Sequence, residues 1–124
     1  MKSLVLVAHG SRKQASNESV IELSKVISER LEGDFPIISV GFLELAEPFI
    51  PESIENCIRQ GANEVYVMPY FLSAGRHVQV DVPAEIEKAR KSYPEASITL
   101  LTHIGGVPQM ADFLCDTVLA NVKE

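Results

Sequence analysis

The stretch LVLVAHGSR, residues 4–12, decides the fold that we expect for this chain. Its first four residues are all apolar, as in a strand that is buried on both faces of a parallel sheet. A helical pattern follows, with apolar residues three or four positions apart on one face. These residues are Val20, Leu23, Ile27 and Leu31. A buried strand followed by an amphipathic helix is the first half of a βαβ unit.

The same alternation continues along the whole chain. Three further short apolar segments predict strands: residues 37–40, 64–68 and 97–101. Helical patterns follow them, beginning near Pro51, Pro83 and Pro108. The order βαβαβαβα predicts one α/β domain over residues 1–124, with a doubly wound, four-stranded, mostly parallel sheet and helices on both faces.

The second and last helices carry further signals. Gly61 suits the left-handed residue that follows a helix end. Cys57 and Cys115 each occupy an apolar position of a helical pattern, far apart and without a CxxC motif, so we expect both to be buried free thiols. The apolar face of the last helix repeats over two turns. It consists of Met110, Phe113, Leu114, Thr117 and Val118.

Composition excludes several classes of partner. The 124 residues are 46% hydrophobic and 23% charged, as in a single soluble domain. With 11 Lys and Arg against 17 Asp and Glu, the net charge of −6 argues against nucleic acid or an anionic membrane as a partner. The longest uncharged stretches, residues 65–75 and 96–111, are shorter than the ~20 apolar residues of a membrane span. Because no signal-peptide pattern precedes the first strand, we expect a cytoplasmic protein.

Ionisable residues follow each predicted strand. In open α/β sheets the ligand crevice lies beyond the carboxyl ends of the strands. His9 follows the first strand, Glu44 and Glu47 follow the second, His77 follows the third and His103 follows the fourth. We therefore expect all three histidines of the chain at one edge of the sheet.

Two imidazoles and a carboxylate at one edge suit a divalent cation such as Co²⁺, Ni²⁺, Fe²⁺ or Zn²⁺, and disfavour Mg²⁺ and Ca²⁺. The spacing alone leaves a second interpretation open, in which each histidine only caps or hydrogen-bonds a strand end. His103 has the weakest case as a ligand, and we expect it to be structural or to line a pocket.

Glycines flank both favoured histidines. Gly10 and Gly75 lack a β-carbon and would let a ligand or another backbone approach closely, although ordinary turns use glycine as well. Gly10 and Ser11 precede the first helix and could hold an anion at its N-terminus. No GxGxxG or GxxxxGK[ST] pattern is present, so we do not expect a dinucleotide.

Basic residues and apolar residues also lie near this edge of the sheet, and each of these two sets has two interpretations. Arg12, Lys13 and Arg76 could receive substrate carboxylates, or they could be solvated surface residues. Phe71 and Leu72 could form the floor of a site for a large flat ligand, or belong to the core.

Three segments together resemble one known family. They are LVLVAHGSR (residues 4–12), FLELAEP (residues 42–48) and PYFLSAGRH (residues 69–77), the last followed by DVP at residues 81–83. The chain resembles the short form of the sirohydrochlorin chelatases. These class II chelatases insert Co²⁺ for the anaerobic route to cobalamin, and relatives insert Ni²⁺ for coenzyme F430 or Fe²⁺ for sirohaem. The resemblance runs from residue 3 to about the last helix.

The resemblance implies a metal-inserting lyase, with sirohydrochlorin or a similar acidic tetrapyrrole as its substrate. The implied metal substrate is Co²⁺, with Ni²⁺ or Fe²⁺ as alternatives, and no organic cofactor is implied. This chain has only three histidines and lacks the histidine-rich loop of nickel-inserting relatives, which weakens the case for Ni²⁺. Longer members look like two fused copies of such a unit, so a homodimer that places two such edges across a shared cleft is expected.

The resemblance also implies roles for particular residues. His9 and His77 bind the incoming metal, and His9 also accepts a proton. The acidic residue after the second strand matches Glu44 or Glu47; Glu44 is the closer candidate for metal or proton handling, and Glu47 for contact with the macrocycle. Backbone amides and a guanidinium are expected to face the acetate and propionate groups of the tetrapyrrole. The residues that would line it are Leu72, Ser73, Ala74, Gly75 and Arg76.

The chemistry of metal insertion agrees with these residue types. Insertion removes water from the cation and two N–H protons from the macrocycle, so it needs exchangeable ligands and a base in one place. With an ordinary pKa of about 6.5, imidazole can serve as both.

Some of these residues also fit three other functions. The main alternative is a histidine phosphocarrier domain of the mannose-type phosphotransfer system, which would need only His9. A histidine phosphatase is disfavoured because Ala8 stands where that family has Arg before the His-Gly pair. A non-catalytic carrier of metal or tetrapyrrole would use the same ligands as a chelatase.

Overall fold

Four strands and four helices alternate along residues 1–122, the part of the chain that the computed structural model describes. The strands are β1 (Lys2–Ala8), β2 (Ile37–Phe42), β3 (Glu64–Pro69) and β4 (Ser97–Leu100). The helices are α1 (Gln14–Leu31), α2 (Ile50–Arg59), α3 (Val82–Ser92) and α4 (Gln109–Asn121). The predicted α/β order is confirmed.

The strands form one parallel sheet in the order β2-β1-β3-β4. β1 lies between β2 and β3, and its residues from Ser3 to Ala8 are buried, which explains its uninterrupted apolar sequence. β2 extends two residues beyond the predicted strand, because Gly41 and Phe42 pair with Val7 and Ala8. The chain turns to opposite sides of β1 to form β2 and β3, so a topological switch point lies between β1 and β3.

Helices cover both faces of the sheet. Side chains from α2 and α3, including Ile54 and Ile86, are fully buried in the larger core cluster. On the other face, Val20 and Ile21 of α1 pack against a smaller cluster around Phe42. The predicted apolar face of α1 is half-buried, whereas the fully buried residues of this helix are the polar Asn17 and Ser24, which the pattern did not indicate.

The last helix does not join either core cluster. Over Gln109–Asn121 no residue is buried, and α4 mainly contacts the short 3₁₀ turn Ile104–Gly106. Its predicted apolar face is present but lies open to solvent. The large apolar side chains exposed on α4 are Phe113, Leu114, Val118 and Leu119.

The two cysteines differ in environment. Cys57 is buried as expected, and burial raises the pKa of its thiol above the ordinary value. Cys115 is exposed on α4, so the expectation that it is buried was wrong, because α4 has no partner surface within the described residues.

Two further expectations concern the end of α2 and the possibility of a membrane-spanning helix. Gly61 has a φ of +111°, so the left-handed residue predicted after α2 is confirmed. Within residues 1–122, no helix has both the length and the apolar character needed to cross a membrane.

Candidate functional site

The topological switch point brings two histidines together. His9 directly follows β1 and His77 lies eight residues beyond β3, so both rings come to the same edge of the sheet. Their ring centroids are 4.6 Å apart and the ring planes meet at 66°, which is an edge-to-face contact. The strand order, and no local motif, produces this pair.

Backbone hydrogen bonds join the loop after β1 to the loop after β2. The amide of Leu43 donates to the carbonyl of Ala8 at 2.9 Å, and the amide of Glu44 donates to the carbonyl of His9 at 3.0 Å. Gly10 has a φ of +97°, and a β-carbon there would lie 1.8 Å from the Glu44 carbonyl oxygen. The close approach expected at Gly10 is therefore present, and it places the Glu44 carboxylate beside His9.

Both ring nitrogens of His9 face oxygen atoms. Nδ1 lies 3.0 Å from the carbonyl oxygen of Gly10, and Nε2 lies 3.1 Å from Oε1 of Glu44. A carbonyl can only accept, so Nδ1 carries a proton. With the proton on Nδ1, Nε2 and the Glu44 carboxylate are both acceptors, and a proton or another cation between them offsets their repulsion. Nε2 of His9 and Oε1 of Glu44 can therefore hold a cation together.

His77 stands at the start of a π-helical turn, His77–Asp81, that the sequence analysis did not predict. Its Nδ1 lies 2.9 Å from Oδ2 of Asp81. A carboxylate accepts, so Nδ1 is placed to donate to it. Nε2 of His77 has no hydrogen-bond partner among residues 1–122, whereas Nε2 of His9 faces Glu44. From the sequence, Asp81 was noted only within the segment DVP, residues 81–83, although its spacing of four from His77 was a signal.

The site is open. The side chains of His9, His77 and Glu44 are 38%, 47% and 55% exposed, so a cation and a large substrate can reach them. Among residues 1–122, no three His, Cys, Asp or Glu side chains converge closely enough to be a ready metal cage. The arrangement is two imidazoles with one carboxylate beside His9.

Two other candidates lie apart from this pair. The ring of His103 packs on the backbone of Gly106, where a β-carbon would lie 2.6 Å from Cε1. Glu47 is exposed and takes part in none of the ion pairs formed within residues 1–122. The structure thus separates Glu44, which contacts His9, from Glu47, which does not.

The segment expected to line a substrate, residues 72–76, is exposed throughout. Phe71 packs against the core, whereas the next residue, Leu72, is 75% exposed, so the core interpretation fits Phe71 and not Leu72. The guanidinium of Arg76 is exposed, with Nε 4.0 Å from Oδ1 of Asp81. A β-carbon on Gly75 would meet no atom within 4 Å, so no backbone approaches it as one approaches Gly10; its carbonyl accepts from the amides of Val78 and Gln79 in the π-helical turn.

A second glycine contact braces this segment, and sequence reasoning missed it. The amide of Gly105 donates to the carbonyl of Phe71 at 2.9 Å. A β-carbon on Gly105 would lie 1.6 Å from the carbonyl oxygen of Leu72. The turn after β4 therefore holds the loop after β3 in place.

An apolar groove of about 640 Å³ continues along the same edge, between α1 and α4. It is lined by Leu23, Tyr70, Leu72, Ile104, Val107, Gln109, Met110, Phe113 and Leu114. Leu72 belongs both to this groove and to the exposed segment near His77. The groove and the segment are thus one continuous surface.

The loop before α1 is also braced. The side chain of the buried Asn17 accepts from the amide of Ser11 at 2.9 Å and donates to its carbonyl at 2.8 Å. The hydroxyl of Ser11 accepts from the amide of Lys13. These groups of Ser11 therefore bond within the loop, where an anion had been considered. Asn17 was not among the residues singled out from the sequence.

Comparison with known proteins gives one family. A family model described as CbiX matches residues 3–120. A sirohydrochlorin cobaltochelatase of Methanocaldococcus jannaschii is 42% identical over 83 residues, 67% of this chain and 57% of that protein. A chloroplastic sirohydrochlorin ferrochelatase of Arabidopsis thaliana is 33% identical over 93% of this chain and 50% of that protein. A cobaltochelatase of Sulfolobus acidocaldarius is 32% identical over 92% of this chain and 87% of its own length.

Solved structures agree with the sequence relatives. A CbiX protein from Marinobacter aquaeolei VT8 superposes with a TM-score of 0.78 at 30% identity, covering 97% of this chain and 96% of that one. SirB from Bacillus subtilis with Fe³⁺ has a TM-score of 0.84 at 26% identity, over 98% of this chain and 48% of SirB. The chain spans about half the length of the first curated relatives it matches.

Proposed function

This chain belongs to the CbiX family, and we propose on that basis that it acts as a sirohydrochlorin chelatase, inserting a divalent metal into an acidic tetrapyrrole with release of two protons. The observation that carries the proposal is the pair His9 and His77. Two imidazoles from different βα units meet at 4.6 Å, and in each the Nδ1 atom is occupied by an oxygen acceptor.

This pair suits a metal that must be bound and then passed on. Neutral imidazole is a good ligand for Co²⁺, Ni²⁺ and Fe²⁺, and two such ligands leave the remaining coordination positions to water and to the incoming macrocycle. Nε2 of His77 would offer one ligand atom, and Nε2 of His9, 3.1 Å from Oε1 of Glu44, would offer the other.

His9 can receive one of the two protons that the macrocycle loses, and the other can pass to water at the open site. As the metal leaves for the pyrrole nitrogens, Nε2 of His9 becomes free to accept a proton. Glu44 lies 3.1 Å away and stabilises the imidazolium that forms. His9 is the proposed proton acceptor and Glu44 its partner, while Glu47 is left as a contact for the macrocycle.

The tetrapyrrole is proposed to lie on the exposed segment beside the histidines. The guanidinium of Arg76 and the backbone amides of the segment would face its acetate and propionate groups. Leu72, exposed next to them, offers an apolar surface for the flat ring. The remaining residues of this surface are Ser73, Ala74 and Gly75.

We propose Co²⁺ as the metal substrate, for a route to cobalamin or a related cofactor. Two of the relatives described above are cobaltochelatases, while the Arabidopsis relative is a ferrochelatase and SirB was solved with Fe³⁺. Because imidazole ligands accept all of these metals, comparing initial insertion rates for Co²⁺, Fe²⁺ and Ni²⁺ on one purified sample tests the choice. A faster rate with Fe²⁺ or Ni²⁺ would contradict it.

We further propose a homodimer in which α4 contacts the second copy. Four large apolar side chains of α4 are more than half exposed, and the groove beside them is lined in part by Leu72, from the segment proposed to contact the tetrapyrrole. SirB, whose matched part is 48% of its chain, has about as much chain again outside the matched part. A second copy of this chain is the corresponding partner, and it would close the open side of the site.

The proposed function is tested by mixing the protein with sirohydrochlorin and Co²⁺ and following the absorption spectrum of the macrocycle. We expect His9→Ala and His77→Ala each to abolish the metal-dependent spectral change, because each removes one of the two ligands. His103→Ala is the matched control, a third histidine at the same edge that should keep the wild-type rate. Thermal melting checks that all variants fold.

If both ligand variants keep full rates, the site assignment is wrong. A single stoichiometric change without turnover would indicate a carrier of metal or tetrapyrrole. The comparisons lend no support to the phosphocarrier alternative, which predicts phosphorylation of His9 by a phosphotransfer partner.

A further inference from the structure

Asp81 divides its two carboxylate oxygens between two neighbours. Oδ2 lies 2.9 Å from Nδ1 of His77, and Oδ1 lies 4.0 Å from Nε of Arg76. The carboxylate thus contacts one proposed metal ligand and one residue proposed to face the acidic groups of the substrate.

This use of an aspartate differs from its ordinary role at a helix start. Asp81 directly precedes α3, where an aspartate commonly accepts a hydrogen bond from the first backbone amides of the helix. Here the backbone of Asp81 is already helical, with φ −71° and ψ −44°, and its side chain makes no capping hydrogen bond. The π-helical turn between His77 and Asp81 brings the carboxylate to the imidazole instead.

We propose that Asp81 is a positioning residue that holds His77 as the tautomer with its proton on Nδ1, and so keeps the lone pair of Nε2 directed away from Asp81 for the metal substrate. The part that concerns metal rests on the proposed function; the part that concerns the tautomer does not. A histidine ligand whose second nitrogen donates to a carboxylate has both a fixed orientation and a more basic ligand atom.

The chemistry of the acceptor makes the proposal specific. A carboxylate has no proton to donate, so it stabilises only the ring that carries hydrogen on Nδ1. An amide in the same place has one oxygen and one NH2 group; the guanidinium of Arg76 beside Oδ1 favours the oxygen on its side, so the NH2 group donates to Nδ1 and the proton moves to Nε2. The isosteric change Asp81→Asn should therefore reverse the tautomer and place a proton on the atom that would bind metal.

The tautomer can be measured on the metal-free protein. Two-bond ¹H–¹⁵N correlation spectra assign the proton to Nδ1 or Nε2 of each ring at about pH 8.5, where an ordinary imidazole, with its pKa of about 6.5, is neutral. We expect His77 of the wild type to carry its proton on Nδ1, and His77 of Asp81→Asn to carry it largely on Nε2. His9 is the internal control, because its ring nitrogens face Gly10 and Glu44 and not Asp81, so its tautomer should be the same in both proteins.

Metal binding is the second readout. We expect Asp81→Asn to lower the affinity for Co²⁺, titrated against the protein alone, by about 10- to 100-fold. Glu85→Gln is the matched control, since Glu85 lies in the first turn of α3 but pairs with Lys88, 2.9 Å away, and not with a histidine. It should leave the affinity and the His77 tautomer unchanged.

The outcomes separate the two proposals. A wild-type His77 with its proton on Nε2, or an Asp81→Asn variant with an unchanged tautomer, overturns the role of Asp81, and the wild-type spectrum suffices even if the variant does not fold. The expected tautomers in a protein that inserts no metal would support the role of Asp81 and contradict the proposed function instead.

Discussion

At the scale of single residues, the site depends on the oxygen atoms that face the histidine Nδ1 atoms and on one glycine, Gly10. Gly10 provides the carbonyl that accepts from His9, and its lack of a β-carbon lets the backbone of Glu44 approach. A positive φ of 97° adds a second reason for glycine, since side chains with a β-carbon rarely adopt that conformation. The distance from His9 to Glu44 is therefore set by a residue without a side chain.

The change Gly10→Ala tests this dependence. We expect it to destabilise the fold by about 2–4 kcal/mol, because the backbone becomes strained and the two loops must separate. Insertion should fall with it, since Glu44 moves away from His9. Guanidinium unfolding and the insertion rate measure the two effects.

Gly33→Ala is the control for this change, because a β-carbon at Gly33 would meet no atom within 4 Å. Wild-type stability and activity in Gly10→Ala would show that the contact between the loops has no role.

At the scale of elements, the loops at the carboxyl ends of the strands support one another. The loop after β2 is joined to the loop after β1 through the amides of Leu43 and Glu44. The turn after β4 holds the loop after β3 through Gly105. The exposed segment proposed to contact the tetrapyrrole thus rests on a neighbouring loop, as positioned loops on a rigid sheet commonly do.

The change Gly105→Ala tests the brace. A β-carbon 1.6 Å from the Leu72 carbonyl oxygen forces the two loops apart, so we expect a loss of stability of about 1–3 kcal/mol and an increase in KM for the tetrapyrrole. The affinity for Co²⁺ alone should fall by a smaller factor, because His77 follows the displaced loop whereas His9 and Glu44 lie on the other loop pair. Steady-state insertion kinetics and a Co²⁺ titration measure these quantities. An unchanged KM would mean that the segment does not contact the substrate.

At the scale of the whole molecule, α4 is the element whose environment is incomplete. Burying one large apolar side chain contributes about 1.5–3 kcal/mol, and four such side chains are exposed on this helix. In a two-fold interface each contact occurs twice, so the exposed apolar face of α4 can hold two copies of the chain together. The proposed dimer would cover α4 and place a second surface over the histidine pair.

The change Phe113→Glu tests the dimer. It places a charge on the α4 face in both copies, and we expect the dissociation constant to rise at least about 100-fold. Sedimentation equilibrium over a dilution series measures it. Val26→Glu is the control, since Val26 is also exposed but lies on α1 outside the residues that line the groove.

Alkylation of Cys115 provides a second measurement of the same interface. This exposed thiol should react slowly at high protein concentration and faster on dilution, whereas Cys57 should react only after unfolding. A wild-type protein that stays monomeric throughout would contradict the dimer.

Much of this architecture could be predicted from the sequence. The order of strands and helices, the parallel sheet and the helix end at Gly61 follow from local patterns of two and about 3.6 residues and from the conformational freedom of glycine. The grouping of His9 and His77 followed from the rule that ligands bind at the carboxyl ends of parallel strands. These features depend on residues near one another in sequence, or on a rule common to the fold class.

The remaining features depend on neighbours that are distant in sequence. The pattern of α1 did not show that Asn17 would be buried, because the loop that it braces decides which side faces inward. The apolar face of α4 did not show that it would stay exposed, because a helical pattern does not identify the surface that covers it. Gly10 and Gly75 looked alike in sequence, and only one has a backbone pressed against it.

The sequence by itself determined the order of the strands and main helices, the edge of the sheet that carries the ionisable groups, and the chemical types of ligand that are present. Only the tertiary structure decided that Glu44 and not Glu47 contacts His9, and that Asp81 accepts from His77. The reason is physical: periodicity and propensity act over a few residues along the chain, whereas a hydrogen bond depends on distances of about 3 Å between loops that only the assembled sheet brings together.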